Sequence, residues 1–361
     1  MKNKRFPYLL VAIVMLALVL LSLVYAITFG PVSIHASEVY RILVGKTAEL
    51  LNHCLGTHFP LADTLETLKS SNIEIVWNIR FPRVLMAIFV GAGLSMSGVV
   101  MQAVVKNPLA NPFTLGISSG ASLGATMSII LGAFTFMGNY GTSFGAFIGS
   151  LLASLVVFVI AFSGTGRGNT VKLLLAGMAI SAICSAFTSF IIYTASDAEG
   201  MRSVSFWTVG ALTSSSWNTL TIPTIVVTVM SLFFLTQYRI LNVMMMGEDS
   251  AITMGVDIVK MRKWYLVLTS IVTGVVVAAT GTIGFVGLIV PHIVRMFVGP
   301  DNKKVMYISI FGGSIFLIWC DVFARMYLGS SELPIGIITS MIGGPFFISL
   351  MLTKNHGFGG D

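Results

Sequence analysis

The chain has 361 residues, of which 55% are hydrophobic and only 10% charged, and its mean hydropathy is +0.91. Soluble domains carry about 25% charged residues, so this chain cannot wet its whole surface, and a soluble enzyme is excluded. In such a chain the net charge of +7 reports basic residues on the cytoplasmic side of a membrane, not nucleic-acid binding.

Lys2, Lys4 and Arg5 precede an apolar run over 8–29. A secretory signal core has about 7–15 residues. This run is longer and leads into more apolar sequence, so it reads as the first membrane span. Residues 30–79 form the longest polar stretch, in which Glu38, Glu49, Asp63, Glu66 and Glu74 alternate with spaced apolar residues. The pattern predicts short amphipathic helices on the outer surface. Gly45-Lys46-Thr47 looks like the end of a phosphate loop, but Tyr40 stands where that loop requires its first glycine. His53-Cys54-x-x-x-His58 offers one thiol and no fourth ligand, so no metal site is assigned. With no loop for ATP in the chain, a motor driven by ATP must be a separate protein.

Further spans are predicted over 82–104, 112–132, 143–163, 170–194, 218–237, 264–283, 285–298, 305–328 and 335–353. Each approaches the length of about 20 residues that a crossing needs, the eighth being short. The fold class is therefore an all-α polytopic membrane protein, one domain over 1–361 with about ten spans. The basic clusters at Lys2–Arg5, Lys260–Lys263 and Lys303–Lys304 share one side when both termini are cytoplasmic.

Arg80 and Arg83 flank Pro82 at the outer entry to the second span. Ala87, Gly91 and Ser95 follow at i+4 steps, with Gly93 and Ser97 beside them, a small-residue stripe suited to close helix packing. At the cytoplasmic end Gln102, Asn107 and Asn111 can satisfy backbone groups freed by Pro108 and Pro112. In the fifth span Gly177, Ser181, Ser185 and Ser189 recur every four residues, a stripe that either lines a cavity or packs against a helix. Arg202, near its outer mouth, can meet an anionic chelate or the propionates of a haem. Trp207 and Trp217 fall at interface depth. The loop 238–263 contains a predicted short helix over 247–256. Glu248 and Asp249 occupy its first turn, where acids oppose the dipole; Gly247 precedes it, and Gly255 ends it before Val256. It presents Ala251, Ile252 and Met254 as a knob for a groove on another protein. Gly281, Gly284, Gly287 and Pro291 break the seventh and eighth spans, which is tolerated at membrane depth only where protein or a cavity covers the freed backbone. His292 and Arg295 are expected to make structural bonds there. Asp321 lies one turn from Arg325, and Glu332 and Pro334 precede the last span.

The ordered set Arg-x-Pro-Arg, Gly-x-Gly, Ser-Gly, Gln, Asn-Pro-Leu-Ala-x-Pro, Leu-Gly and Gly-Ala runs from Arg80 to Ala121. With the stretches at 247–256, 284–295 and 332–336, it resembles the permease subunits of ABC importers for iron-siderophore complexes, haem and vitamin B12, the FecCD-like type II class. The resemblance spans about 70–350. It implies a second permease copy or homologue, two ATPase subunits that hold ATP and Mg, and an extracytoplasmic substrate-binding protein, with no cofactor on this chain. It further implies that Gly247–Val256 dock in the ATPase cleft and that Arg80, Arg83 and Arg325 meet carboxylates on the binding protein. The cargo it implies is a bulky iron chelate, with a ferric siderophore ahead of haem or a corrinoid. A transporter driven by ions is the alternative from another class. It would need paired ionisable residues within the spans, whose interiors are almost free of charge.

Overall fold

The computed structural model describes residues 8–56, 60–163, 170–327 and 332–352, all of them helix, turn or irregular chain. Helix α1 (Tyr8–Thr28) is apolar on every side and buries little of its surface. An outer segment follows, comprising α2 (Ala36–Leu55), a 3-10 turn over Pro60–Thr67 and α3 (Ser70–Glu74). A π turn over Ile75–Arg80 joins α3 to α4 (Phe81–Val105), so one helical run extends from Ser70 to Val105. This moves the expected start of the second span outward from residue 82. Pro82 does not break the helix because the π turn has already widened the hydrogen-bonding register, with the Phe81 N–H bonding to Val76 O.

Lys106 ends α4 in the left-handed region, and a 3-10 turn over Pro112–Leu115 leads through Gly116 into α5 (Ile117–Leu131). The third crossing is thus shorter than the predicted 112–132, because Pro112 starts a separate turn. A 3-10 turn over Thr135–Tyr140 precedes α6 (Gly141–Phe162), and α7 (Thr170–Thr194) follows. The segment at 195–217 holds α8 (Ala198–Val209), capped by Asp197. Next are α9 (Trp217–Thr236), which opens with a Ser216–Thr219 capping box, α10 (Tyr238–Met246) and α11 (Glu248–Thr253). Helix α12 (Ile258–Thr280) starts six residues before the predicted 264, because the Asp257 side chain accepts from the Lys260 N–H and opens the helix there. The chain ends with α13 (Val286–Val298), α14 (Asn302–Met326) and α15 (Ile335–Leu352).

Among the described residues eight helical runs are long and apolar enough to cross a membrane, and α5 and α13 are shorter apolar helices. Together they make the ten expected crossings. Helix α4 is the central one, packed on by α9, α12, α13 and α14. Its glycines set the spacing. A Cβ at Gly91 would collide with the Gly313 carbonyl of α14, and one at Gly98 with the Gly287 carbonyl of α13. Backbone therefore packs on backbone, as small residues allow in lipid.

Candidate functional site

At the outer end, α1 leaves its last carbonyls without helical partners. Two arginines satisfy them. Arg80 donates to the carbonyls of Ile27 (3.0 Å), Thr28 (3.3 Å) and Val32. Arg325 donates to Ala26 (3.1 Å) and Phe29 (2.9 Å), and its Nε lies 3.0 Å from Asp321 Oδ2. Arg83 donates to Asp321 Oδ1 (2.8 Å) and Glu332 Oε2 (2.7 Å). Arg80, Arg83 and Arg325 are only 4%, 5% and 3% exposed. These arginines, which the resemblance implies meet a binding protein, make their bonds within this chain. Asp321 and the α1 carbonyls draw all three inward, and the cluster fastens α1, α4, α14 and the Glu332 strand of chain together. Pro334 follows, its carbonyl accepting from the Ile337 N–H in the first turn of α15.

Deeper in the molecule, four helix ends converge. Ala211 N–H bonds to Thr280 O (2.8 Å), Gly336 N–H to Gly210 O (3.2 Å), and the Thr282 hydroxyl donates to Thr208 O. The ends of α8 and α12 and the start of α15 thus satisfy one another beside the break at Gly281 and Gly284 that leads into α13. Beside this junction opens a cleft of about 550 Å³, lined by Phe113, Ser118, Thr208, Thr282, Gly336 and Ser340 among others. None of these six stands among the residues that sequence alone assigned to a pathway. Ser118, Thr282 and Ser340 are small and polar, a weak signal in one dimension, and only the convergence of helix ends brings them together.

The small stripe on α7 does not act as one face. Gly177 is buried, with its Cα against the Thr114 carbonyl, while Ser181 is half-buried and Ser185 and Ser189 are exposed. A step of four residues advances a helix by about 40° beyond a full turn, so the stripe rotates out of the core as it climbs. Gly177 is thus a packing contact. Arg202 is exposed on α8, its guanidinium 5.7 Å from the centre of the Phe206 ring. Trp217 packs on Trp77 and Phe81 and donates to Trp77 O at 3.1 Å.

At the cytoplasmic end the loop over 106–116 is tied by its own asparagines. Asn107 Oδ1 accepts from the Leu109 N–H (2.8 Å) and Asn111 Oδ1 from the Phe113 N–H (3.2 Å), between Pro108 and Pro112. Gln102 donates to Leu288 O (3.4 Å) and accepts from Arg295 Nε (3.3 Å). Arg295 also donates to Asn302 Oδ1 (2.9 Å) and Pro300 O (3.2 Å). Asn242 then bridges to α14, accepting from the Asn302 N–H (2.8 Å) and donating to Asp301 (3.0 Å). This polar chain joins α4 and α13 to α10. His292, within α13 and behind Pro291, is buried edge-on to Phe346.

Helix α10 leads directly to α11, the short helix expected over 247–256. It is six residues long, because Gly247 at φ 119° and Gly255 at φ 74° bracket it. Ile252 is 70% exposed and Met254 is also exposed, but Ala251 is fully buried. This corrects the expectation for Ala251. Its N–H and C=O hold the turn, bonding to Gly247 O and the Val256 N–H, while its methyl packs inward. Val256 is half-buried. The side chains of Glu248 and Asp249 and all of His58 lie outside the described residues.

Ten crossings, a broken pair of helices beside a cleft and a short exposed helix between two spans define the membrane subunit of a transporter. Comparison with known proteins makes this specific. The FecCD transport family matches residues 16–353, and the chain belongs to that family. It is 38% identical over 282 residues to the hemin transport system permease HmuU of Yersinia pestis, covering 78% of this chain and 84% of that one. It is 39% identical over 279 residues to the cobalamin import permease BtuC of Halobacterium salinarum, covering 77% and 73%. A solved inward-facing structure of a metal-chelate type ABC transporter superposes with a TM-score of 0.78 at 27% identity, covering 94% of this chain and 98% of that one. The protein is thus the permease of an ABC importer, a multi-pass protein of the inner membrane. ATP hydrolysis belongs to a separate subunit, and the ion-driven alternative is displaced.

Proposed function

We propose that this permease imports a bulky metal chelate of the ferric siderophore, haem or corrinoid class. It works with a second permease copy or homologue, two ATPase subunits that bind ATP and Mg, and an extracytoplasmic binding protein. The observation that carries the coupling is Ile252, exposed on a six-residue helix between two spans. Such a knob fits a groove on a partner, and the polar chain through Asn242, Asn302, Arg295 and Gln102 links it to the centre of the bundle. The cleft beside the helix-end junction, with Ser185, Ser189 and Arg202 facing outward from α7 and α8, supports a pathway between two permeases. The ferric siderophore is the member first expected from the sequence, and the relatives named for hemin and cobalamin bring the macrocycles alongside it.

The buried Arg80, Arg83 and Arg325 reach a binding protein only if the outer cluster opens. Reversing Arg83 alone to Glu therefore serves as the test of that docking role. Salt-dependent loss of docking with the importer still folded supports it, and docking unchanged at low salt removes it.

The function itself is tested by ATPase activity of the importer in lipid, with binding proteins loaded in turn with ferric siderophores, haem and cobalamin. Stimulation by one of them identifies the cargo, and stimulation by none overturns the chelate class. Ile252→Asp should abolish uptake while the permease keeps its thermal midpoint. Uptake at the wild-type rate would remove the coupling assignment.

A further inference from the structure

Helix α2 belongs to the outer segment and has two unlike faces. Val39, Ile42, Gly45 and Ala48 are buried. That side rests on the chain's own return path. Gly45 lies against Leu65, Arg41 donates to the Thr67 hydroxyl (2.9 Å), and Glu38 accepts from Asn72 (2.7 Å). The other side carries Tyr40, Val44, Thr47, Leu51, Cys54 and Leu55, in steps of three and four residues that keep them on one stripe. Tyr40 and Leu55 are more than 60% exposed. No charge falls within the stripe; Arg41, Lys46 and Glu49 lie off it.

We propose that this stripe lies in the outer leaflet of the bilayer, so that α2 is a monolayer anchor. Its depth argues for lipid. The outer ends of α1 and α14 expose Tyr25, Phe29, Trp319, Phe323 and Tyr327, with Phe29 and Trp319 rings 6.4 Å apart. Aromatic side chains gather in this way at headgroup level. Only seven residues, 29–35, separate the end of α1 from the start of α2, which keeps the start of α2 near that level. Continuity argues the same way. The exposed apolar surface of α1, from Leu10 to Tyr25, faces lipid, and exposure continues through Phe29 and Val32 to Tyr40. A helix with one apolar face lies in the interface plane, that face sunk about 5–10 Å toward the acyl chains. Helix α8 exposes Phe206 and Val209 but mixes them with Glu199, Arg202, Ser203 and Ser205, so its exposed side carries charge where the stripe of α2 does not.

Cys54 stands on the stripe and is exposed, whereas Cys184 and Cys320 are buried. The native importer, reconstituted in phosphatidylcholine–phosphatidylglycerol vesicles, can therefore be labelled there with an environment-sensitive maleimide dye. The expected result is blue-shifted emission, quenched by lipid with a nitroxide high on the acyl chain and shielded from aqueous iodide. A dye at Glu49→Cys, with Cys54→Ser, should show the opposite preference. Leu51→Asp with Leu55→Asp should shift the Cys54 emission to the red and admit iodide. Free access of iodide to native Cys54 would overturn the proposal. So would shielding from both quenchers, which would mean that a second copy or an outer protein covers the stripe. The native-cysteine measurement decides between these outcomes whether or not the double variant assembles.

Discussion

Asp321 is one carboxylate between two guanidiniums, 1% exposed. Removing a single partner from a buried ion pair leaves an uncompensated charge and costs about 3–5 kcal/mol. Asp321→Ala should therefore lower the thermal midpoint of the detergent-solubilised permease severely. Glu332, whose side chain is 34% exposed, is screened by solvent, and Glu332→Gln should cost about 1 kcal/mol or less. A thermal-shift series on the two variants checks the order, and equal losses would mean that Asp321 is not the centre of the cluster. The sequence made part of this legible, since Asp321 one turn before Arg325 already reads as a pair. It left Arg83 ambiguous, because the partners of Arg83 are 238 and 249 residues away, and nothing local tells an arginine at a span end which way to turn. Ala251 was misread for a related reason. In a six-residue helix successive positions turn by about 100°, and the start set by Gly247 decides which methyl goes inside.

Among the elements, the crossings were the most legible, because runs of apolar residues of bilayer length need no tertiary knowledge. Their ends were less so. The start of α12 depends on the Asp257 cap, and the run into α4 depends on a π turn that absorbs Pro82. Helices α8 and α10 lie in stretches between predicted spans. They are too short to show as spans and are held by their contacts. Glycine spacing predicted close packing on α4 but not the partner. Gly98 faces the carbonyl of Gly287, whereas a Cβ at Gly284 would meet nothing within 4 Å. Gly98→Val should thus separate α4 from α13, reducing the yield of folded permease and its thermal midpoint, while Gly284→Ala should leave both near wild type. Expression and thermal unfolding of the pair in parallel would check this contrast, and a tolerated Gly98→Val would mean that α13 can shift away freely.

For the molecule as a whole, burial is uneven. The apolar stretches of the run Ser70–Val105 and of α12 are 83% and 67% buried, whereas those of α7 and α15 are 17% and 28% buried. Helix α7 exposes Ile183, Phe187 and Phe190 as well as Ser185 and Ser189, and this mixture of small polar and large apolar residues suits a partner better than lipid alone. A cysteine at Ser189, in a background with the native cysteines replaced, should cross-link two permeases through a short bifunctional thiol reagent. A monomer-only pattern on a gel, with the importer intact, would place the pairing face elsewhere. Partner faces were the least legible level in the sequence, because a stripe of serines has the same spelling whether a helix, a cavity or a second subunit covers it.

The carbonyl-to-glycine contacts of α4 also bear on motion. Helices that approach backbone to backbone keep few and small side chains between them, such as Ser95 and Ser314, so small repacking gives α4, α13 and α14 little play. They form a fixed frame, latched at one end by Asp321 and at the other by Arg295. An alternating pathway is then expected to take its travel from the helices buried least, α7 and α15 among them, moving against this frame.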